Sequence, residues 1–180
     1  MKFIDTNVLV YVADDADAAK QSVSREIVRE ALTTNGCLIS AQVLNEFSSV
    51  LFKKLKKTAQ EVDGFLEVIE RISTVAVKPE WTRMAIGLMG RYNIQFFDSL
   101  LLVAAQENGC DEILTEDLND GQMYLHVGGG IAGWLVLVVG YDVALEALQP
   151  LGKGTSHVAE ADDTDGASLD FQPSVGFALP

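Results

Sequence analysis

The chain has 180 residues, 48% of them hydrophobic, and carries a formal net charge of −13. That length and apolar share suit one domain with a real core and would leave two full domains cramped. The acidic balance excludes a surface that holds a polyanion mainly through phosphate contacts, so any nucleic-acid role has to be reconciled with the charge.

The first predicted element is a short strand, KFI at 2–4, ending at Asp5, Thr6 and Asn7. Lys2 followed so soon by an acid lacks the charged start and unbroken apolar core of a secretory signal, so a cytoplasmic location is expected. SREIVREALTTNG reads as a helix stopped by Asn35-Gly36. CLI at 37–39 is the second strand, and AQVLNEFSSVLFKKLKK after it has a helical stripe of Leu44, Phe47, Leu51 and Leu55. STVAV at 73–77 is a third strand. Pro79 opens a further helix, PEWTRMAIGLMGRYN, at a position where proline is tolerated. DSLLLVAAQENG starts a helix at Asp98 and stops at Asn108-Gly109, and EILT at 112–115 is the next strand. Cys37 and Cys110 border apolar runs and read as reduced core residues rather than a disulfide.

Short apolar strands alternating with helices imply βαβ units, a mostly parallel sheet and a three-layer α/β/α fold. Polar residues that directly follow such strands lie where open parallel sheets bind their ligands. Asp5 is one; Glu116 and Asp117 are others.

After Gly128 the composition changes. Residues 126–180 hold one Lys and seven acids, net −6, against 12 basic and 19 acidic residues, net −7, in 1–125. We therefore expect a domain over 1–125 and an atypical Gly/Ala/Asp-rich C-terminal extension over 126–180, with about the last 25 residues disordered. The run IAGWLVLVVGYDVALEAL is too short before Asp142 for the roughly 20 apolar residues of a membrane span; a sheet strand plus helix and an aggregation-prone apolar stretch are the two readings.

Four acidic positions compete for one site: Asp5, Glu46, Asp98 and the TEDLND cluster with Glu116, Asp117 and Asp120. Each has a plain structural reading. Asp98 is typed as a helix N-cap, Glu46 lies off the apolar stripe and fits a solvated face, and Asp117 fits a turn. Asp5 resists such a reading, because an unpaired charge at the end of a buried strand is costly. Carboxylates held close together repel unless they share protons or a cation offsets them. Oxygen ligands without His or Cys select Mg²⁺ or Mn²⁺, and such an ion can activate water and stabilise charge on a phosphoryl oxygen. His126 and His157 match no ligand spacing. The one dense basic cluster, KKLKK, would put Lys53 and Lys57 within about 20° of the Glu46 azimuth on a continuous helix. They are candidates for RNA contact, or a solubilising helix end with cations favoured by the dipole.

FIDTNVLVYV, VLNEF, FFDSLLLVAA and ILTEDLNDGQ, in this order, resemble the PIN-domain nucleases, most of all the VapC-type toxins of bacterial toxin–antitoxin pairs. The resemblance covers residues 2 to about 123. It implies a metal-dependent endoribonuclease on an α/β/α fold with a Mg²⁺ (or Mn²⁺) site, blocked by a cognate antitoxin, in a family whose members commonly form homodimers. Carried over by motif, Asp5, Asp98 and Asp117 would be metal ligands and Glu46 a ligand or base. Thr6, Asn7, Thr115, Glu116 and Asp120 would support them. The antitoxin would place a basic side chain in the pocket as a rival cation. Family members usually continue with a short strand and an ending like NPF, whereas this chain runs into LHVGGGIAGWLVLVVG, which puts the final strand in question. The alternatives are a non-toxin PIN nuclease and an inactive PIN-like binding module. An aspartyl-phosphate phosphatase would want an Asp where Asn7 stands.

Overall fold

The structure, a computed structural model, describes residues 1–118, 121, 123–126 and 134–139. Strand β1 (Lys2–Ile4) leads into helix α1 (Thr6–Ala13), then α2 (Ala18–Thr34), β2 (Cys37–Ser40), α3 (Ala41–Lys53) and α4 (Ala59–Ile69). After these come β3 (Ser73–Val75), α5 (Pro79–Tyr92), α6 (Phe96–Glu107), β4 (Glu112–Leu114), β5 (Met123–His126) and β6 (Trp134–Val139). The six strands lie in one sheet in the order β3-β2-β1-β4-β6-β5. Every pairing is parallel except that of β5 with β6. Helices flank the sheet, α1 packing with α2 and α3, and α5 with α6.

The strand order positions the site. The chain moves outward from β1 to β2 to β3, then returns to the other side of β1 to lay down β4. The crevice between β1 and β4 is therefore the point where the winding reverses, the place at which an open parallel sheet exposes its strand ends to a ligand. Phe3 pairs with Ile113 and Ile4 with Leu114, and all four are buried. The Asp5 N–H extends this ladder to the Leu114 carbonyl at 3.1 Å. The ends of β1 and β4 are thus held level.

Local chemistry explains the helix boundaries. Asp17 caps α2 by accepting from the N–H groups of Ala19 and Lys20, and Asn35, left-handed at φ 52°, ends it. Pro79 opens α5 at its first turn. α6 begins at Phe96, two residues before the predicted start, because Gln95 holds the extended cap position. Asp98 is therefore not the N-cap: it lies inside the first turn and accepts a hydrogen bond from the Gln95 N–H. α3 ends at Lys53, with Lys56 left-handed at φ 54° and the Lys57 N–H turned back to the Leu51 carbonyl at 3.0 Å. Lys57 is thus off the helix that carries Glu46 and does not share its azimuth, whereas Lys53 is the last residue of that helix.

Two helices were not anticipated. α1 is apolar almost all round, with Val8, Leu9, Val10 and Val12 buried, as a helix enclosed by its neighbours must be. α4 opens with a Thr58–Glu61 capping box. Both cysteines are buried and free, as expected. Past residue 125, β6 supplies the strand that the departure from family pattern had put in question: Ile113 pairs with Val138 and Tyr124 with Val136. The rest of the expected extension lies outside the described residues. Among the described residues no helix is long and apolar enough to cross a membrane.

Candidate active site

Asp5 is the last residue before α1 and also its cap, so no loop separates the sheet from the helix. It is only 8% exposed. One carboxylate oxygen accepts from the Thr6 N–H at 2.6 Å. The other accepts from the Thr115 hydroxyl at 2.6 Å and the Asn7 amide at 3.2 Å. Thr115 follows β4, so this hydroxyl bond spans the reversal point. The Thr115 oxygen in turn accepts from the Asp117 N–H at 3.1 Å, which bends the chain so that Asp117 returns toward Asn7. The Asn7 Nδ2 lies within hydrogen-bond distance of Asp5, Thr115 and Asp117 at 3.2, 3.3 and 3.2 Å.

Glu46 comes from the third side, on α3. Its Oε2 accepts from the Thr6 hydroxyl at 2.9 Å and its Oε1 from Gln42 Nε2 at 2.9 Å. The solvated-face reading of Glu46 therefore gives way: the side chain is half-buried and turned into the cluster. Asp98 enters from the first turn of α6. Burial raises its carboxyl above the ordinary range, and the neighbouring charges of Asp117 and Glu46 raise it further. Asp5 is pushed up to about 6, first by burial, with Asp117 and Asp98 adding to it against the hydrogen bonds from Thr115 and Thr6. Burial, more than mutual repulsion, is what makes these two acids hold protons tightly.

The structure thus brings Asp5, Glu46, Asp98 and Asp117 into one electrostatic neighbourhood, with Thr6, Asn7 and Thr115 bonded among them. Glu116 turns elsewhere: it accepts from Tyr11 Oη and, at 2.7 Å, from Lys20 Nζ. Burial opposes ionisation there, but the Lys20 and Tyr11 hydrogen bonds win and hold its carboxyl below the usual range. Lys57 pairs with Glu61 at 3.9 Å, and Lys53 is exposed at the end of α3. Asp120 lies outside the described residues. Sequence reasoning missed Gln42, which stands one helical turn before Glu46 and was detectable by that i, i+4 spacing. It also missed Tyr11 and Lys20, which nothing local in the sequence marks.

Among the described residues, no three histidine, cysteine or acidic side chains already close around one point as a finished metal shell. The donor chemistry nevertheless fits a hydrated Mg²⁺ or Mn²⁺, since Mg²⁺ keeps several waters and takes only one or two carboxylates directly. The Asn7 Oδ1 supports the fit. It is buried with no hydrogen-bond donor among the described residues, although the amide nitrogen beside it is oriented by three acceptors. A lone acceptor among carboxylates calls for a cation or an ordered water.

Comparison with known proteins bears on the fold. Among curated proteins no relative matches. The fold resembles VapC20 of Mycobacterium tuberculosis, described as a sarcin-ricin loop cleaving toxin, at TM-score 0.53 and 14% identity, over 63% of this chain and 87% of that one. It also resembles a toxin–antitoxin complex from Klebsiella pneumoniae, at TM-score 0.51 and 14% identity, over 64% of this chain and 86% of that one. The PIN domain profile matches residues 2–120, about two thirds of the sequence, so the chain belongs to the PIN domain family.

Proposed function

We propose that this protein is a Mg²⁺- or Mn²⁺-dependent endoribonuclease, the toxin of a toxin–antitoxin pair, acting in the cytoplasm. The observation that carries the reading is the convergence of Asp5, Glu46, Asp98 and Asp117 at the reversal point of a parallel sheet, with Asp5 and Asp98 raised by burial and by one another's neighbours. Asp5, Asp98 and Asp117 would hold the ion. When bound, the dication supplies positive charge beside the scissile phosphodiester and makes a water acidic enough to act as nucleophile. Glu46, held at both oxygens by Thr6 and Gln42, would serve as the general base for the attacking water. Thr115 and Asn7 hold one oxygen of the Asp5 carboxylate and the Thr6 N–H holds the other, so its orientation is fixed before an ion arrives.

A net charge of −13 is compatible with an RNA substrate because the cation, not the protein surface, neutralises the phosphate at the point of cleavage. Lys53 and Lys57 are proposed to meet the flanking backbone. The cognate antitoxin would restrain the enzyme with a basic side chain occupying the acidic crevice as a rival cation, and the active species is proposed to be a homodimer. We further propose that the nuclease unit takes in residues 1–125 together with β6, which pairs with both β4 and β5, and that the remainder is an extension to it. These partner assignments draw on the VapC-like fold and on the Klebsiella neighbour, which is a toxin–antitoxin complex.

The test is cleavage of single-stranded RNA by the purified chain with Mg²⁺ or Mn²⁺, beside Asp5→Asn. Cleavage is expected to need the metal and to fall at least 100-fold in the variant, a loss of about 3 kcal/mol of barrier stabilisation. Absence of cleavage by a folded wild type, with Mn²⁺ bound, would instead favour an inactive binding module.

A further inference from the structure

We propose that Tyr11, Lys20 and Glu116 form a clamp that fixes the Thr115–Asp117 turn and so aims Asp117 at the cation site; Lys20 and Glu116 are positioning residues rather than ligands. The inference rests on the metal-dependent reading above and concerns parts of the chain that reading leaves without a role.

The geometry is a closed triangle. Lys20 Nζ donates to Glu116 Oε2 at 2.7 Å and to the Tyr11 hydroxyl at 2.9 Å, and Tyr11 Oη donates to Glu116 Oε1. Lys20 Nζ also stands 4.6 Å from the centre of the Tyr11 ring, over its face. Three segments meet here. Tyr11 is on α1, which Asp5 caps; Lys20 is in the first turn of α2; Glu116 sits in the loop after β4. The turn it belongs to has a second anchor one residue away on each side, because Thr115 donates to Asp5 and the Asp117 N–H returns to the Thr115 oxygen. Asp117 itself is exposed, and its described hydrogen bonds are this backbone bond and the one to Asn7. An exposed carboxylate on a loop loses orientation unless its neighbours are fixed, and outer contacts of this kind change metal affinity by about 10–100-fold.

Clamped, the turn keeps adjacent carboxylates on different errands, Glu116 toward Lys20 and Asp117 toward Asn7. Released, Glu116 is an unpaired acid free to swing beside Asp117. The turn would then have two acids competing for one cation, neither of them oriented.

The full-length chain tests this with Lys20→Met and Lys20→Arg, the second restoring a cation that pairs with a carboxylate and stacks on an aromatic ring. Two measurements are made: hydrogen exchange of the Asp117 amide without metal, and Mn²⁺ binding followed by loss of the free-ion electron paramagnetic resonance signal. Lys20→Met is expected to speed Asp117 exchange and weaken Mn²⁺ binding about tenfold, while exchange at the buried Leu102 and Val103 amides stays at the wild-type rate. Lys20→Arg is expected to recover most of both effects. Unchanged Asp117 exchange in Lys20→Met overturns the clamp. Faster exchange with undiminished Mn²⁺ binding overturns its bearing on the cation, and parallel acceleration at Leu102 and Val103 reduces it to a general packing role. A wild type that takes up no Mn²⁺ sinks the nuclease reading instead, and the exchange comparison still decides whether the clamp fixes the turn.

Discussion

Glu116 and Asp117 are neighbours in sequence and opposites in surroundings. Glu116 faces Lys20 and Tyr11, and its carboxyl is held below the ordinary range. Asp117 faces Asn7 and raises the carboxyls of Asp5 and Asp98. On one side of the turn the protein supplies its own cation and the acid becomes a structural tie. On the other, the described partners of the carboxylates are hydroxyl and amide donors, which orient the acids without cancelling their charge. The contrast separates an acid whose charge the protein itself offsets from acids whose charge it leaves standing, and the difference lies in where a single lysine sits rather than in how many acids are present.

The comparison can be sharpened in three ways. The largest effect should come from Thr115→Val, which keeps the shape but removes the hydroxyl that joins Asp5 to the Asp117 backbone. RNA cleavage is expected to fall about 10–100-fold, measured under single-turnover conditions, and a rate within twofold of wild type would mean that Asp5 is held well enough by Thr6 and Asn7.

A smaller effect concerns pH. The Asp5 carboxyl lies at about 6 in the folded chain against an ordinary 3.8, so its contribution favours the folded state below about pH 4 and is lost as pH rises through 6. Metal-free Asp5→Asn should therefore gain stability relative to wild type between pH 4.5 and pH 8, by about 1–2 kcal/mol in urea unfolding. Mn²⁺ should narrow the gap at pH 8 by stabilising wild type alone. A gap that does not change with pH would show that Asp5 ionises without penalty. The smallest effect is expected from Lys53→Ala and Lys57→Ala. Each should weaken RNA binding about two- to fivefold and lower the salt dependence by about one ion. Lys57, already paired with Glu61, should matter less than the exposed Lys53.

Asp5 and Asp117 were legible as site candidates because they come just after strands β1 and β4, where the parallel topology dictates the crevice. β1 was predicted with its true limits, and β2 and β4 to within one residue. The less legible parts depend on tertiary contact. α1 carries Val8, Val10 and Val12, residues that favour strands, yet it is a helix capped by Asp5 with these valines buried where it packs with α2 and α3. The start of α6 was misread because Asp98 has the chemistry of a cap while Gln95 has its geometry. Glu46 looked solvated because its partner, Thr6, lies 40 residues away in sequence. Lys20 is 96 residues from Glu116, and no spacing rule links them. α4 was different, since its Thr58-x-x-Glu61 signature was present in the sequence and available to local reading.

One consequence follows from the single residue that joins β1 to α1. A length change there has nowhere to be absorbed. An extra residue between Ile4 and Thr6 would rotate the whole of α1 by about 100° relative to the sheet, carrying Thr6 away from Glu46 and Asn7 away from Asp117 while turning Val8 and Leu9 outward. Indels elsewhere on the surface can hide in connecting loops; at this joint the folding code and the chemical code share the same letter, and neither can be edited alone.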